Sequence, residues 1–122
     1  MSDEAVLAAN DSFYQAFNQR DFEAMTMLWA KSVQVTCIHP GWSIRTGWDE
    51  VMATWRGILR NPAQSRIVSG GASVRSFGAI ASVICRELVG GTPMLATNIF
   101  LREDGDWRMM HHHSSPVVEV QA

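Results

Sequence analysis

Histidines are the residues of this sequence best able to do chemistry, and three of its four stand consecutively as His111-His112-His113. An imidazole titrates near neutral pH, so it can act as a general acid or base, and it can also bind a metal. The run lies in a predicted strand, where neighbouring side chains point to opposite faces. We therefore expect His111 and His113 to share one face, and His112 to share the other with Met110 and Ser114.

Two histidines one residue apart on a strand can supply two of the three protein ligands of a zinc site. The third ligand would be His39, which follows a predicted strand and precedes Pro40. The alternative, which we favour, is that the strand histidines are hydrogen-bonded at a dimer interface or a pocket rim. We expect no metal and no cofactor, and we treat His39, His112 and His113 as candidate general acids or bases.

Arg86 interrupts the otherwise nearly apolar run 79–89. A buried guanidinium must be paired, because an unpaired buried charge is costly. Its neighbour Glu87 should point the other way, so the partner would be a bound anion or a carboxylate of another element. Alternatively, Arg86 bonds to carbonyls or lies exposed at a sheet edge. Asn98 also lies between apolar residues, and its amide bonds either within the fold or to a ligand.

Aromatic side chains could supply an apolar wall for a pocket. Tyr14 lies on a helix that could line it, and Trp29 and Trp55 could form the wall itself. Ligand pockets are mostly apolar with a few placed polar groups, and this inventory fits that description. Carboxylates fall mainly at helix starts, turns and termini, and only Glu87 lies within a firmly predicted strand. A carboxylate base, which must approach its proton to about 3 Å, is therefore hard to find.

Composition sets broad limits on the chain. Its 122 residues are 47% hydrophobic and 18% charged, which predicts a single domain over residues 1–122 with a real core. The net charge is -2 and the cations are scattered singly, which argues against a nucleic-acid partner. The N-terminus lacks a secretory signal, no apolar run could span a membrane, and Cys37 and Cys85 lie in apolar segments. We expect a cytoplasmic protein with reduced thiols and no membrane partner.

Periodicity predicts three helices and one early strand, followed by an antiparallel meander. Ser2 can cap the first helix and Asp21 the second, and the third ends at Asn61-Pro62. Gly90-Gly91 and Asp104-Gly105 are hairpin signals. The loop 39–47 has room for a short strand, and Ser69-Gly70-Gly71 suggests a bulge. The first helix is predicted over 3–19, and the strands over 33–38, 66–76, 79–89, 94–103 and 107–115. The order is that of an α+β fold.

Three segments resemble the nuclear transport factor 2-like superfamily, in particular its SnoaL-like and ketosteroid-isomerase-like small proteins. They are FYQAFNQRDFEAMTMLWA, HPGWSIRTGWDEVMATWRGIL and ATNIFLREDGDWRMMHHHSSP. The last is also similar to the end of the association domain of calcium/calmodulin-dependent kinase II. The resemblance implies a cone-shaped fold, in which a strongly curved, mainly antiparallel sheet wraps around three helices. It also implies a pocket in the wide end and homodimers through the outer sheet face.

The resemblance to the kinase association domain also implies which residues face the cavity. Arg86 corresponds to a pocket arginine of that family, whereas Asn98 and Ser114 stand where the family has two others. On this analogy Arg86, Asn98, His112 and Ser114 point into the cone. The two departures make the site less cationic.

Three functions remain open at this point. The first is binding of a small, largely apolar molecule with a polar or anionic end. The second is a small isomerase, cyclase or dehydratase that uses a pocket histidine, with a pH–rate inflection between about 5.5 and 7.5. The third is a structural dimerisation module with a filled cone. The expected ligand-binding residues are Tyr14, Trp29, Trp55, Arg86, Asn98 and Ser114.

Overall fold

The computed structural model describes residues 2–118, apart from the side chain of Ser2. The predicted Ser2 cap and the residues at 1 and 119–122 lie outside this description. In chain order the elements are α1 (Ser2–Asn18), α2 (Phe22–Leu28), β1 (Thr36–Ile38), β2 (Arg45–Thr46), α3 (Trp48–Arg60), β3 (Ile67–Phe77), β4 (Ile80–Val89), β5 (Thr92–Glu103) and β6 (Asp106–Pro116).

The helices begin and end where local chemistry favours it. The Asp21 carboxylate accepts a hydrogen bond from the Ala24 backbone N–H at 3.0 Å and caps α2. Helix α3 carries Asp49 and Glu50 in its first turn, where carboxylates oppose the helix dipole. It ends at Arg60, immediately before Asn61.

The six strands form one sheet in the order β2-β1-β6-β5-β4-β3. Strand β1 runs parallel to β6, and the other neighbouring pairs are antiparallel. Both predicted hairpin turns are present. Gly90 and Gly91 have φ angles of 54° and 87°, and Asp104 and Gly105 have 50° and 84°. These positive values are those of a tight two-residue turn. The predicted α+β class is confirmed.

The early strand is shorter than predicted, because it begins at Thr36 and not at Val33. The Ser32 hydroxyl accepts a hydrogen bond from the Gln34 backbone N–H at 3.0 Å, and this turn holds Val33 in an exposed position. The short strand allowed for in the loop 39–47 is β2, which pairs with β1.

Two register shifts bend the long strands. The shift between Gly70 and Ser73 confirms the predicted bulge in β3. A second shift, opposite Ile99 and Phe100, leaves Met110 without a partner in β6. The expectation that Met110 shares the face of His112 is therefore wrong. Met109 takes that side and is fully buried, since the extra residue of a bulge reverses the alternation.

The sheet has one face covered by the helices and one face open to solvent. Apolar side chains of α1 and α3 pack against the inner face and form a continuous core. On the outer face of β4 and β5, Ile84, Leu88 and Leu95 are exposed. No helix within residues 2–118 is both long and apolar enough to cross a membrane.

Candidate functional site

A cavity of about 330 Å³ opens between the helices and the inner face of the sheet. Its wall is mainly apolar and aromatic, with a cluster of polar side chains from β4, β6 and the residue that follows β1. A larger and more open groove of about 590 Å³ lies at the start of α3, but exposed side chains dominate its lining. We take the smaller cavity as the candidate site, because buried polar groups lie in it. The polar cluster consists of His39, Glu87, His112 and Ser114.

Glu87 is a carboxylate buried in the wall of this cavity, with 3% of its surface exposed. The Tyr14 hydroxyl donates to Glu87 Oε2 at 2.5 Å, and the Ser114 hydroxyl donates to Oε1 at 2.6 Å. Both bonds form because β4 points Ala81, Val83, Cys85 and Glu87 inward. An inward carboxylate is thus present where the sequence predicted none.

Arg86 lies on the outer face of the sheet, so the expectation that it faces the cavity is wrong. The strand alternates, and Arg86 pairs with Leu95, whereas the inward Asn98 pairs with Val83. The guanidinium lies over Gly71, where an added Cβ would come within 2.9 Å of it. No cation of the described chain replaces Arg86 among the residues that line the cavity.

Asn98 is fully buried behind the cavity wall and connects three side chains. Its Nδ2 donates to Asn10 Oδ1 at 2.8 Å and to the Tyr14 hydroxyl at 3.2 Å. Its Oδ1 accepts from His112 Nδ1 at 2.6 Å. Asn98 therefore does not line the cavity but orients a residue that does.

His39 and His112 meet in the cavity, with their ring centres 6.5 Å apart. Burial lowers the pKa of His112 to about 3, with a further contribution from neighbouring histidines. Burial, with the positive charge of Arg45, lowers the pKa of His39 to about 4. Both imidazoles are therefore neutral at neutral pH and can accept a proton.

His113 and His111 lie on the other side of β6, with ring centres 6.3 Å apart. His111 Nδ1 bonds to Thr36 Oγ1 at 2.7 Å, and His113 is exposed. His39 lies on the inner side with His112, so the three-histidine metal site that the sequence left as the less favoured alternative does not form. Within residues 2–118, no group of three or more His, Cys, Asp or Glu side chains could hold a metal ion.

The aromatic candidates separate into a wall and a backing layer. Trp55 lines the cavity, whereas Trp29 lies deeper, with its ring centre 6.5 Å from that of Trp55. Tyr14 lies behind Glu87, and its burial, with the charge of Glu87, raises the pKa of its hydroxyl. Trp29 and Tyr14 are thus absent from the lining, while Trp55 and Ser114 belong to it.

The two cysteines are buried and free, and neither acts as a nucleophile in this arrangement. Burial raises the pKa of the Cys37 thiol and of the Cys85 thiol, so both stay protonated. Cys85 lies 3.2 Å from the Tyr14 hydroxyl and packs beside the polar network.

The family model of the SnoaL-like domain matches residues 6–119. The F-box protein SKIP8 of Arabidopsis thaliana is 31% identical over 113 residues, which cover 91% of this chain and 49% of that protein. The chain therefore spans about half the length of this curated relative.

Two solved structures are similar in both sequence and fold. A proposed association domain of calcium/calmodulin-dependent protein kinase type II from Thiobacillus denitrificans is 32% identical, with a TM-score of 0.83 over 91% of this chain and 94% of that one. A proposed dehydratase of the NTF2-like family from Streptomyces avermitilis is 32% identical, with a TM-score of 0.86 over 95% and 96%. These similarities confirm the predicted cone-shaped fold.

Proposed function

Since the chain belongs to the SnoaL-like domain family, we propose that it binds a small, largely apolar molecule with a polar end in its cone cavity. The observation that carries this proposal is the cavity itself, with a volume of about 330 Å³ and a buried polar cluster. Pockets for small ligands span roughly 300–1,000 Å³ and combine an apolar wall with a few polar groups. An open cavity also disfavours the filled cone of a purely structural module.

The polar end of the ligand is better matched by a neutral or positive group than by an anion. Glu87 contributes a carboxylate to the lining, and Arg86 lies on the opposite face of the sheet. An anion beside a buried carboxylate would be repelled, because like charges interact strongly away from water. We therefore propose a ligand with a neutral or positive polar end, and not the anionic end that the sequence also allowed.

Blocking the cavity tests this function. Val89 lines the cavity, so Val89→Phe should weaken binding of the neutral, polarity-sensitive dye N-phenyl-1-naphthylamine about tenfold or more, by overpacking its site. The same change at Val68, exposed on the neighbouring strand, should alter the affinity less than about twofold. Dye fluorescence titrations measure both. Absence of saturable binding to the wild-type protein would refute the proposal.

A second candidate function is proton-transfer catalysis, as an isomerase, cyclase or dehydratase. It is favoured by two neutral histidines beside a carboxylate in one cavity, and by the similarity to the proposed dehydratase. His39 and His112 are the bases in this scheme, and His113 takes no part because it lies on the outer face.

This second candidate makes a distinct kinetic prediction. The lowered pKa values of His39 and His112 move the acid limb of the pH–rate profile from the expected range of about 5.5 to 7.5 to between about 3 and about 4. Turnover of small hydroxylated substrates should fall about 10²-fold or more in His39→Gln or His112→Gln. His113→Gln should match the wild-type rate. Wild-type rates in all three variants would exclude this function.

We also propose that the chain forms a homodimer through the outer face of β4 and β5. Ile84, Leu88 and Leu95 are exposed there, and contact with a second copy would cover them. Light scattering should give twice the chain mass for the wild type and a monomer for Leu95→Glu. Val33→Glu, at a residue that is 82% exposed and remote from this face, should remain dimeric. A wild-type monomer at micromolar concentration would contradict the proposal.

A further inference from the structure

The buried carboxylate of Glu87 has no cation beside it. Among residues 2–118 the one ion pair joins Arg108 to Asp106 at the surface, at 3.5 Å. Glu87 is held instead by two neutral hydroxyls, from Tyr14 and Ser114. Buried charges in proteins are normally paired with an opposite charge, so this carboxylate lacks its usual partner.

The directions of the hydrogen bonds behind the wall follow from Glu87. An ionised carboxylate can only accept, so the Tyr14 hydroxyl donates to it. The Tyr14 oxygen must then accept from the Asn98 atom beside it, which is the amide nitrogen. The Asn98 oxygen consequently faces His112, and Nδ1 of His112 carries the proton. Nε2 of His112 is left without a proton and can only accept.

Hydrogen bonds also fix the donors and acceptors of His39 and Ser114. The Thr54 hydroxyl donates to the Val51 carbonyl at 2.6 Å, so it accepts from His39 Nε2 at 2.8 Å. His39 Nδ1 therefore carries a lone pair, and the Cys37 sulfur lies 3.9 Å from it. Ser114 uses its proton on Glu87 and likewise presents lone pairs. The polar cluster thus offers acceptors and one negative charge.

We infer that the polar end of the ligand is an amine, bound in its ammonium form against Glu87. This inference rests on the proposed function and specifies its ligand class. An ammonium group donates up to three hydrogen bonds and supplies the missing positive charge, so it matches both properties of the cluster. The Trp55 indole N–H, which has no acceptor among the described residues, adds a neutral donor but no charge.

The apolar wall suits the same ligand. Phe17, Trp42 and Trp55 line the cavity, and aromatic faces attract cations as well as apolar groups. Trp42 already lies under the Arg45 guanidinium, whose carbon is 5.2 Å from the ring centre. A compact apolar amine would place its hydrocarbon part on these rings and its nitrogen near Glu87.

Three probes that share a 2-phenylethyl group separate this inference from its alternatives. They are 2-phenylethylamine, 2-phenylethanol and 3-phenylpropanoate, titrated against the wild-type protein at pH 7 by calorimetry. The affinity for the amine should exceed that for the alcohol by about tenfold or more, since a charge-assisted hydrogen bond replaces a neutral one. The carboxylate should bind most weakly, because it meets the charge of Glu87.

A matched pair of variants assigns the preference to one side chain. Glu87→Gln keeps the shape but removes the charge, so the amine should lose about tenfold or more in affinity, and the alcohol less than about threefold. Glu103→Gln, at an exposed carboxylate on β5, should leave both affinities unchanged. Thermal unfolding shows whether Glu87→Gln has folded, and the wild-type ranking stands without that variant.

Each outcome has a separate meaning. If the alcohol or the carboxylate binds as tightly as the amine, the inference is wrong while the proposed binding function stands. If none of the three probes binds and the naphthylamine dye also fails, the proposed function itself is refuted. If the dye binds but the amine does not, the amine class alone is excluded.

Discussion

The free energy of unfolding is expected to fall steeply as the pH drops from about 8 to about 5. His39 and His112 are held neutral in the fold, with pKa values of about 4 and about 3, whereas an unfolded histidine titrates near 6.5. In this window the unfolded chain binds more protons than the folded one, so stability is lost as the pH falls. Two such histidines lower the unfolding free energy by roughly 4 kcal/mol between these limits.

Urea unfolding at fixed protein concentration between pH 5 and pH 8 measures this loss. His112→Asn removes one of the two histidines with the most strongly lowered pKa and should reduce the slope of the unfolding free energy against pH by somewhat less than about half, because burial also lowers the pKa of His111. His113→Asn, on the exposed outer face of the same strand, should keep the wild-type slope. A free energy that stays constant over this range would show that both imidazoles titrate freely in the folded protein.

Asn98→Leu is expected to cost roughly 3–5 kcal/mol of stability at pH 7. The leucine cannot donate to Asn10 or Tyr14, and it cannot accept from His112 Nδ1. Each buried polar group left without a partner costs roughly 1–3 kcal/mol, because it has also lost water. Asn98 is fully buried, so solvent cannot replace the missing bonds.

Thr97→Val is the matched control for this change. Thr97 is the neighbouring residue of β5 and points to the outer face, so its replacement should change the stability by less than about 0.5 kcal/mol. Denaturant titrations of the two variants and the wild type give the comparison. A loss below about 1 kcal/mol for Asn98→Leu would mean that the network relaxes around the leucine.

Much of the fold was predictable because its signals are local. Asp21 caps α2 through its own side chain, and Gly90 and Gly91 adopt the positive φ angles that their type permits. Four long strands with short turns between them leave few alternatives to an antiparallel meander. Val33 was predicted wrongly because β propensity says nothing about a turn made by a neighbouring hydroxyl.

The sequence alone could have shown that the expected cavity positions of Arg86 and Asn98 conflict with each other. The Gly90-Gly91 turn pairs Val89 with Thr92, so even-numbered residues of β4 share a face with odd-numbered residues of β5. Arg86 and Asn98 therefore cannot both face the cavity. Helix packing decides which of the two residues faces the cavity, because both faces of β4 carry apolar side chains.

The amino-acid pattern was sufficient for the element types, the hairpins and the α+β class, since caps, turns and periodicity act over a few residues. It did not reveal which face of β4 is covered or the bulge at Met110. Nor did it show that Asn10, Tyr14, Glu87 and Asn98 meet. Those contacts join residues more than 70 positions apart, and helix packing forms them by taking one sheet face out of water. The candidate site therefore depends on burial and on hydrogen-bond directions that exist only once the chain has folded.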